Sequence, residues 1–542
     1  MERHVGTWSR EGENQKAQIG ELIIDGHIIE FYGRFSTEVF CSTYVGSDGH
    51  YRYKVFLHGG AISSNRRSLD NVSAHRVSYV LVQNFDFSHG TDISGIREVS
   101  FEIPELLQWG GMRTVDYAYT VEGTIGAVEV NIPDILINEE NPRVELYLES
   151  RTFDSTIMEQ DNTAITIKNI PRIRIKYDAS QDIDRVVSDI ECVSEFFGLL
   201  IGHLSGVKDI RLITEGQEGP CGLYINKDFS YNLRTVDSVF EKPRTYYYVV
   251  KEQLNSYYNS WNSFYQDDTY SLLRRIYFAA NRSKDIFAEE IFIEYMRFLD
   301  GYHTRICGDE EKKKKISVDL GAATKEIKAL LFNDEGKALF EKSMKQADPE
   351  WKCNSKHIQE IAGWIAAGYL GKTQLSYRIQ ELDKMFLGII GANAVDVEKN
   401  TRNRAKYENI SADELNRRYF RDLGDTRNYY SHYKLDETGV LEIQQIIQSI
   451  SILKATIVTI LLKHMGMDLE LIRKVMAFDT ELWEATMFLR ADGEMPFEHP
   501  SQIERASEEC VCEKQPSEKP ARIQKAWKQF KMVIFGNKEK AK

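Results

Sequence analysis

The amino-acid sequence predicts an α+β multidomain protein, in which an N-terminal all-β domain of sandwich or barrel-like fold precedes a helical connector and a C-terminal all-α bundle. Short alternating apolar runs separated by turn residues fill the first third of the chain, and the spacing of apolar residues becomes helical after Asp182. A length of 542 residues is too great for one hydrophobic core and suggests about three domains. A hydrophobic content of 42% with 28% charged residues is ordinary for a folded soluble protein.

Residues 1–178 are predicted to form the β-rich domain. Asp25-Gly26 separates two apolar runs, and Asp-Gly is the usual dipeptide of a tight type I′ hairpin. Residues 47–50, Ser-Asp-Gly-His, supply a second turn before the alternating residues 51–56. Many short strands with such turns are typical of an all-β sandwich or barrel, and no catalytic constellation stands out among them.

Residues 179–305 are predicted to form the helical connector. Apolar residues follow helical spacing from Ile183 to Ile201, and a second helical pattern runs from Tyr270 to about Arg305. Turn-forming stretches at 216–220 and 241–243 lie between these two patterns. The aromatic residues at 246–248 and 257–265 could stack nucleic-acid bases, but at this spacing they are more often core residues.

Residues 306–475 are predicted to form the C-terminal bundle. A charge run at 308–315 marks a solvated loop near its start. Residues 368–373 look like the end of a phosphate-binding P-loop, but Ala366 stands where that motif requires glycine, so no ATP site is predicted. Enough helical patterns for a four- or five-helix bundle occur at 325–345, 358–370, 375–387, 412–423 and 440–465.

Charge, hydropathy and cysteine spacing exclude several classes of protein. The net charge of −13 argues against a protein that coats nucleic acid non-specifically, although it leaves room for one local basic cleft. No run of eighteen apolar residues and no apolar leader are present, so we expect a cytoplasmic protein without a membrane span. The seven cysteines are mostly scattered, and the one close pair, Cys510 and Cys512, has no cluster of ligands near it. We therefore expect reduced thiols, no metal site and no cofactor.

Residues 476–542 are predicted to form a linker and a basic amphipathic tail. Apolar residues recur on one helical face between 523 and 534, and residues 519–542 contain eight Lys or Arg against one Glu. Such a helix could dock on RNA through Lys525 and Lys528, on an anionic surface, or on the acidic body of its own chain. Disorder is the alternative, because a short helix without packing is marginal.

The stretch 425–432, Asp-Thr-Arg-Asn-Tyr-Tyr-Ser-His, carries the residues best suited to chemistry on a phosphate. Histidine can transfer protons near neutral pH, and arginine offers a planar fork of donors that matches phosphate oxygens. Asp425 or Thr426 is predicted to cap a helix whose first turn holds Arg427, where free backbone N–H groups would also favour an anion. The candidate catalytic residues are Arg427, Asn428 and His432, with Asp425 and Tyr430 as supporting residues.

A structural interpretation of the same residues is also open. Arg427 would pair with Asp422 or Asp425 at a solvated helix end, and His432 would cap a loop. On a regular helix, five residues turn the chain by roughly 140° from facing alignment, so the two side chains do not converge easily within one protomer. A catalytic role therefore requires a distorted turn, a long reach of the arginine, or a second chain.

The spacing of Arg427, Asn428 and His432 resembles the RxxxxH signature of the HEPN ribonuclease superfamily, and residues 420–433 resemble more narrowly the C-terminal HEPN domain of ApeA-like bacterial antiphage proteins. The resemblance implies a homodimer in which two protomers form a metal-independent RNA-cleaving site that leaves 2′,3′-cyclic phosphate ends. Arg427 would hold the phosphate, His432 would handle protons, and Asn428 would orient one of them. From the residue pattern, the apolar helices around Ile446–Leu461 are the expected source of the association energy.

The same resemblance implies a role in antiphage defence by abortive infection. The protein would cut host RNA, with tRNA as the expected class, after the N-terminal domain senses a phage-derived trigger. A second function class stays open, in which the HEPN bundle has lost cleavage and serves as a dimerising or nucleotide-binding adapter. An intact set of Arg427, Asn428 and His432 favours the enzyme, because an inactive module would tolerate the loss of these residues.

Overall fold

In the computed structural model, the described residues all belong to the unit Met1–Asp492. The basic tail with Lys525 and Lys528, the charge run at 308–315 and the helical pattern at 358–370 lie outside the residues that the structure describes. The described residues are 1–11, 17–25, 28–33, 43–57, 73–83, 94–112, 115–119, 125–129, 134–154, 165–202, 206–216, 219–226, 242–282, 286–306, 322, 325–326, 329–330, 333–347, 349, 356, 375–401, 409–432 and 439–490.

The described strands fall in the first 225 residues. They are Glu2–Arg10 (β1), Gln18–Asp25 (β2), Ile28–Gly33 (β3), Thr43–Ser47 (β4), Arg52–Leu57 (β5), Ser73–Gln83 (β6), Ser94–Glu102 (β7), Val115–Tyr119 (β8), Ile125–Glu129 (β9), Ile135–Asn138 (β10), Arg143–Asp154 (β11), Ile165–Asp182 (β12), Lys208–Thr214 (β13) and Cys221–Ile225 (β14). Strands β8 and β9 form a separate hairpin.

Twelve of these strands form one antiparallel sheet, in the order β10-β11-β12-β7-β13-β14-β6-β3-β2-β1-β4-β5. Strand β5 also pairs with β6, which closes β6, β3, β2, β1, β4 and β5 into a six-stranded barrel. The sheet therefore has a closed barrel at one end and an open part at the other. This arrangement confirms the predicted barrel-like N-terminal domain.

The barrel interior is filled by side chains. Trp8 is fully buried and packs edge-on against Phe31 with ring centroids 4.8 Å apart, while its indole N–H donates to the carbonyl of Gly20 at 3.1 Å. A Cβ added at Gly46 would lie 2.3 Å from the Trp8 ring, so only glycine lets that strand pass the indole. The described side chains inside the barrel therefore form a hydrophobic core.

The predicted turn at 47–50 is present, whereas the predicted Asp25-Gly26 turn includes Gly26, which lies outside the described residues. Asp25 pairs with Ile28 across two antiparallel strands, which leaves a connection of two residues. In the second turn the Asp48 carboxylate accepts the backbone N–H groups of His50 and Tyr51, each at 2.9 Å. Local turn chemistry thus sets the strand register at the second turn.

The described helices lie mainly after β12 and build the C-terminal bundle. They are Leu106–Gly110 (α1), Ile183–Ile201 (α2), Tyr247–Val250 (α3), Leu254–Gln266 (α4), Asp268–Arg282 (α5), Ala288–Ile306 (α6), Asp334–Ala347 (α7), Leu375–Met385 (α8), Ile389–Lys399 (α9), Ala412–His432 (α10), Ile443–His464 (α11), Leu469–Ala477 (α12) and Trp483–Thr486 (α13). The predicted α+β order, with strands first and an all-α bundle last, is confirmed. The aromatic residues of α4 are buried, in agreement with their interpretation as core.

The helical prediction for the connector is wrong for residues 208–225, which contain β13 and β14. Strand β13 pairs with β7 and β14 pairs with β6, so both belong to the N-terminal sheet. Each is short, and its alternating burial becomes favourable only through pairing with strands from far earlier in the chain. Residue 178 lies inside β12, which continues directly into α2.

The long apolar helix α11 forms the centre of the bundle. It packs against α6, α9 and α12, and also against α2 and α4. The side chain of Gln445 accepts the N–H of Glu442 at 2.9 Å in a capping box at its start. By length and composition α11 could cross a membrane, but 72% of its most apolar window is buried inside the protein, as in a core helix.

A buried ion pair ties the end of α2 to the end of the bundle. The Arg244 guanidinium contacts the Asp479 carboxylate, and both side chains are almost completely buried. Arg244 also donates from Nη1 to the carbonyl of Leu199, and from its backbone N–H to the carbonyl of Ile201, each at 2.7 Å. One arginine therefore joins the end of α2 to the segment that follows α12.

Candidate functional site

The predicted catalytic residues lie near the C-terminal end of α10, which is one continuous helix from Ala412 to His432. The prediction that Asp425 or Thr426 begins a helix is therefore wrong. The Thr426 hydroxyl donates to the carbonyl of Asp422 at 2.6 Å and accepts the N–H of Leu441 at 2.9 Å, so it acts inside the helix and not as a cap. Burial of α10 in the bundle overrides the turn preference of the sequence Gly-Asp-Thr.

Arg427 lies near the C-terminal end of this helix and not in its first turn, so the helix dipole does not favour an anion there. The last turns of a helix carry the negative end of the dipole, and their backbone N–H groups are already bonded within the helix. The backbone therefore offers an anion no binding site at Arg427. A phosphate would have to be held by the guanidinium itself.

Arg427 contacts one chain neighbour and one distant residue. Its Nη1 donates to the side-chain oxygen of Asn428 at 3.1 Å, and its Nη2 lies 3.9 Å from Oδ2 of Asp300 in α6. The other oxygen of Asp300 accepts Nη1 of Arg378, from α8, at 2.5 Å. The Nε of Arg427 is buried and has no hydrogen-bond partner within the described residues. The Asp300 carboxylate therefore lies between two guanidinium groups.

Asp422, a partner that the structural interpretation assigned to Arg427, binds other arginines. Its carboxylate accepts Nε of Arg418 at 3.3 Å and Nε of Arg421 at 3.2 Å. Arg418 also lies 3.2 Å from the buried carboxylate of Glu398 in α9. Burial and then the charge of Asp422 raise the pKa of Glu398 to about 7, against the opposing effect of the arginines. Arg418 thus contacts two buried acids, Glu398 on α9 and Asp422, which precedes Arg427 on α10.

His432 is the last residue of α10 and is exposed. Within the part of the chain that the structure describes, its imidazole has no hydrogen-bond partner. Because α10 is continuous between Arg427 and His432, the two side chains leave the helix in directions roughly 140° apart. The structure brings Arg427 and Asn428 together and leaves His432 on another side of the helix end.

The supporting residues Asp425 and Tyr430 lie beside the motif in α10. A Cβ added at Gly439 would lie 3.1 Å from Oδ2 of Asp425, and the φ of +98° at Gly439 also favours glycine, so the chain passes close over the helix there. Tyr430 packs edge-on against Tyr429 with ring centroids 5.0 Å apart. Burial and then the charge of Glu289 raise the pKa of Tyr430, so its hydroxyl remains protonated and can donate a hydrogen bond.

The apolar surface available for association differs from the one that the sequence predicts. Ile446 and Leu461 are completely buried within one protomer, because α11 is the centre of the bundle. The buried residues of this region therefore cannot supply the association energy, and the prediction stays open only for the exposed side chains of α11. On the same helix Ile443 and Ile447 are 44% and 55% exposed, one turn apart. They lie close to the motif, since Leu441, just before α11, donates its N–H to the hydroxyl of Thr426 in α10.

Sequence reasoning misses three residues of the site: Asp300, Arg378 and Glu398. They come from α6, α8 and α9, and no local pattern marks them, because each reaches α10 only through helix packing. The tail residues Lys525 and Lys528 lie outside the described residues. Among the residues that are described, no group of three or more His, Cys, Asp or Glu could hold a metal ion.

Two family models match the chain. Residues 3–261 match the model described as ApeA N-terminal domain 1, and residues 293–471 match the model described as Apea-like HEPN. No curated protein and no solved structure matches. The first match extends through β13 and β14 into α4, and the second runs from α6 to α12. The second match therefore contains all the helices that carry the candidate site.

Proposed function

Because the chain belongs to the ApeA-like proteins with a C-terminal HEPN domain, a nuclease-type domain of antiphage defence, we propose that it is a metal-independent endoribonuclease. The observation that carries the proposal is the pair of Arg427 and Asn428, hydrogen-bonded at 3.1 Å on a helix that ends at an exposed His432. A cationic fork and an imidazole at one helix end are groups that phosphodiester cleavage can use.

The proposed reaction needs three events at one phosphate. The 2′-hydroxyl must lose its proton, the leaving 5′-oxygen must gain one, and a cation must balance the charge on the phosphorane. His432 transfers protons, Arg427 holds the non-bridging oxygens, and Asn428 fixes the guanidinium through its side-chain oxygen. Attack of the 2′-oxygen on phosphorus breaks the bond to the 5′-oxygen and leaves a 2′,3′-cyclic phosphate beside a 5′-hydroxyl.

The active unit in this proposal is a homodimer. One protomer supplies a single motif histidine, whereas the reaction uses both a base and an acid. The helical geometry also directs Arg427 and His432 roughly 140° apart in one chain. A two-fold axis past the end of α10 would place two copies of each group around one phosphate, and the exposed Ile443 and Ile447 would supply an apolar contact.

The proposed biological role is abortive antiphage defence in the cytoplasm. The enzyme would cut host RNA, with tRNA as the expected class, after the N-terminal domain recognises a phage-derived trigger. The barrel interior is filled by side chains such as Trp8 and Phe31, which supports recognition on the outer surface or loops of that domain.

A catalytically inactive adapter is the second candidate function. The contact between Arg427 and Asp300 favours it, because a neighbouring carboxylate partly neutralises the motif arginine. The two functions predict different results in one experiment. An adapter would bind RNA or a nucleotide and leave RNA intact.

The deciding experiment incubates purified protein with total bacterial RNA in EDTA, with and without a phage lysate, and identifies the ends of any fragments. We expect cleavage in EDTA with 2′,3′-cyclic phosphate ends. His432→Ala should abolish cleavage, whereas His50→Ala, at an exposed histidine in a barrel turn, should not. Cleavage that needs magnesium would reject the mechanism, and intact RNA in every sample would favour the adapter.

A further inference from the structure

Asp300 connects the motif arginine to a second arginine on a third helix. Its Oδ1 accepts Nη1 of Arg378 at 2.5 Å, and its Oδ2 lies 3.9 Å from Nη2 of Arg427. Each of the three side chains is about one quarter exposed, so a solute can reach them while packed helices hold them in place. We call these three residues the double-arginine cluster.

In the double-arginine cluster, two guanidinium groups share one carboxylate, in a chain whose net charge is −13. The contact between Arg427 and Asp300 is longer than a hydrogen bond, and the buried Nε of Arg427 has no partner within the described residues. A phosphate group, with several acceptor oxygens, would bind Nη2 of Arg427 more closely than a carboxylate 3.9 Å away does.

We propose that Arg378 is a second phosphate-binding residue of the RNA site and holds the phosphate next to the one held by Arg427. This inference rests on the proposed function, since it names a further contact in the same site. Phosphates follow one another at a regular interval along a strand, and Asp300 keeps the two guanidinium groups at a fixed separation. Cations that are already held in position bind such a strand at a lower entropic cost.

The test measures binding of a fluorescent single-stranded RNA of mixed sequence to the full chain carrying His432→Ala, which lacks the proton-transfer group. Arg378→Gln in this background should weaken binding and reduce the slope of log affinity against log salt by about 0.7, the value for one lost phosphate contact. Arg427→Gln should reduce the slope by a similar amount. Arg417→Gln is the matched control, because this arginine of α10 is 71% exposed and pairs with Glu414, and it should leave the slope unchanged.

The outcomes separate this inference from the proposed function. A folded Arg378→Gln variant with the slope of the Arg417→Gln control would overturn the inference, even if Arg427→Gln still lowered the slope. If Arg378→Gln does not fold, Arg378→Lys in the active chain keeps the charge and loses the planar fork, and it should raise KM several-fold with little change in kcat. An unchanged KM would then overturn the inference. If the chain with His432 intact cleaves no RNA, but Arg378→Gln still reduces the slope of log affinity against log salt, the result would support the phosphate contact and reject the proposed enzyme.

Discussion

The proposed dimer depends on a small apolar surface whose removal has a calculable effect. Ile443 and Ile447 are each about half exposed, so an interface that covers them would bury the other half of each side chain. Full burial of an isoleucine side chain contributes about 1.5–3 kcal/mol, which gives roughly 1 kcal/mol for each half. A two-fold interface contains four such side chains and gains about 4 kcal/mol from them, or close to a thousandfold in dissociation constant.

The double variant Ile443→Ser/Ile447→Ser should therefore be monomeric at concentrations where the wild type is a dimer. Mass by sedimentation velocity and specific activity toward RNA should fall together as either protein is diluted. Leu272→Ser is a matched control, because Leu272 is 56% exposed on α5, and it should dimerise as the wild type does. Full activity in a demonstrated monomer would refute the shared site, and a double variant that dimerises normally would refute this choice of surface.

The remaining predictions concern chemistry, stability and pH. His432→Ala should lower the cleavage rate by about a hundredfold or more without dissociating the dimer, and Arg427→Ala should do the same while also weakening RNA binding in a titration. Arg244→Met should lower the free energy of unfolding in urea by about 3–5 kcal/mol, because it leaves the buried carboxylate of Asp479 without its cation; a loss below about 1 kcal/mol would contradict this reasoning. Since the folded-state pKa of Glu398 is raised from 4.5 to about 7, its contribution to stability is complete below pH 4.5 and is lost as the pH rises to about 7. The stability difference between wild type and Glu398→Gln should follow that curve, and a difference independent of pH would reject it.

Local patterns predict the elements whose conformation is set locally. The turn at residues 47–50 needs only its own side chains, because the Asp48 carboxylate accepts the backbone N–H groups of His50 and Tyr51, and Ser47 pairs with Arg52 across it. Strands β13 and β14 differ, because β7 and β6, far earlier in the chain, supply their partners. The predicted start of α10 is wrong because a local preference is overridden. Thr426 has the residue preference of a helix cap, but burial of α10 keeps the helix continuous there.

The candidate site also combines residues that a local motif can indicate with residues that only helix packing brings together. Arg427 and Asn428 are adjacent in the chain, so one motif can indicate both, and the structure shows their side chains bonded to each other. Asp300 and Arg378 are 78 residues apart, and their contact arises from the packing of α6 against α8. No periodicity in either helix specifies that contact. The catalytic role of His432 remains a prediction, because a second protomer would have to bring it to Arg427.

The topology also limits what a truncation can reveal about sensing. Deleting residues 1–178 would cut β12 and leave β13 and β14 without β7 and β6. Helices α2 and α4 pack on α11, and Leu441, just before α11, is bonded to Thr426, next to Arg427. Damage to the N-terminal sheet can therefore reach the motif through packed helices, so an inactive truncated protein would not show that the β-rich domain takes part in catalysis. Substitutions of exposed side chains on the outside of the barrel, such as that of Arg3, leave this packing intact, so they test the sensing role without damage to the fold.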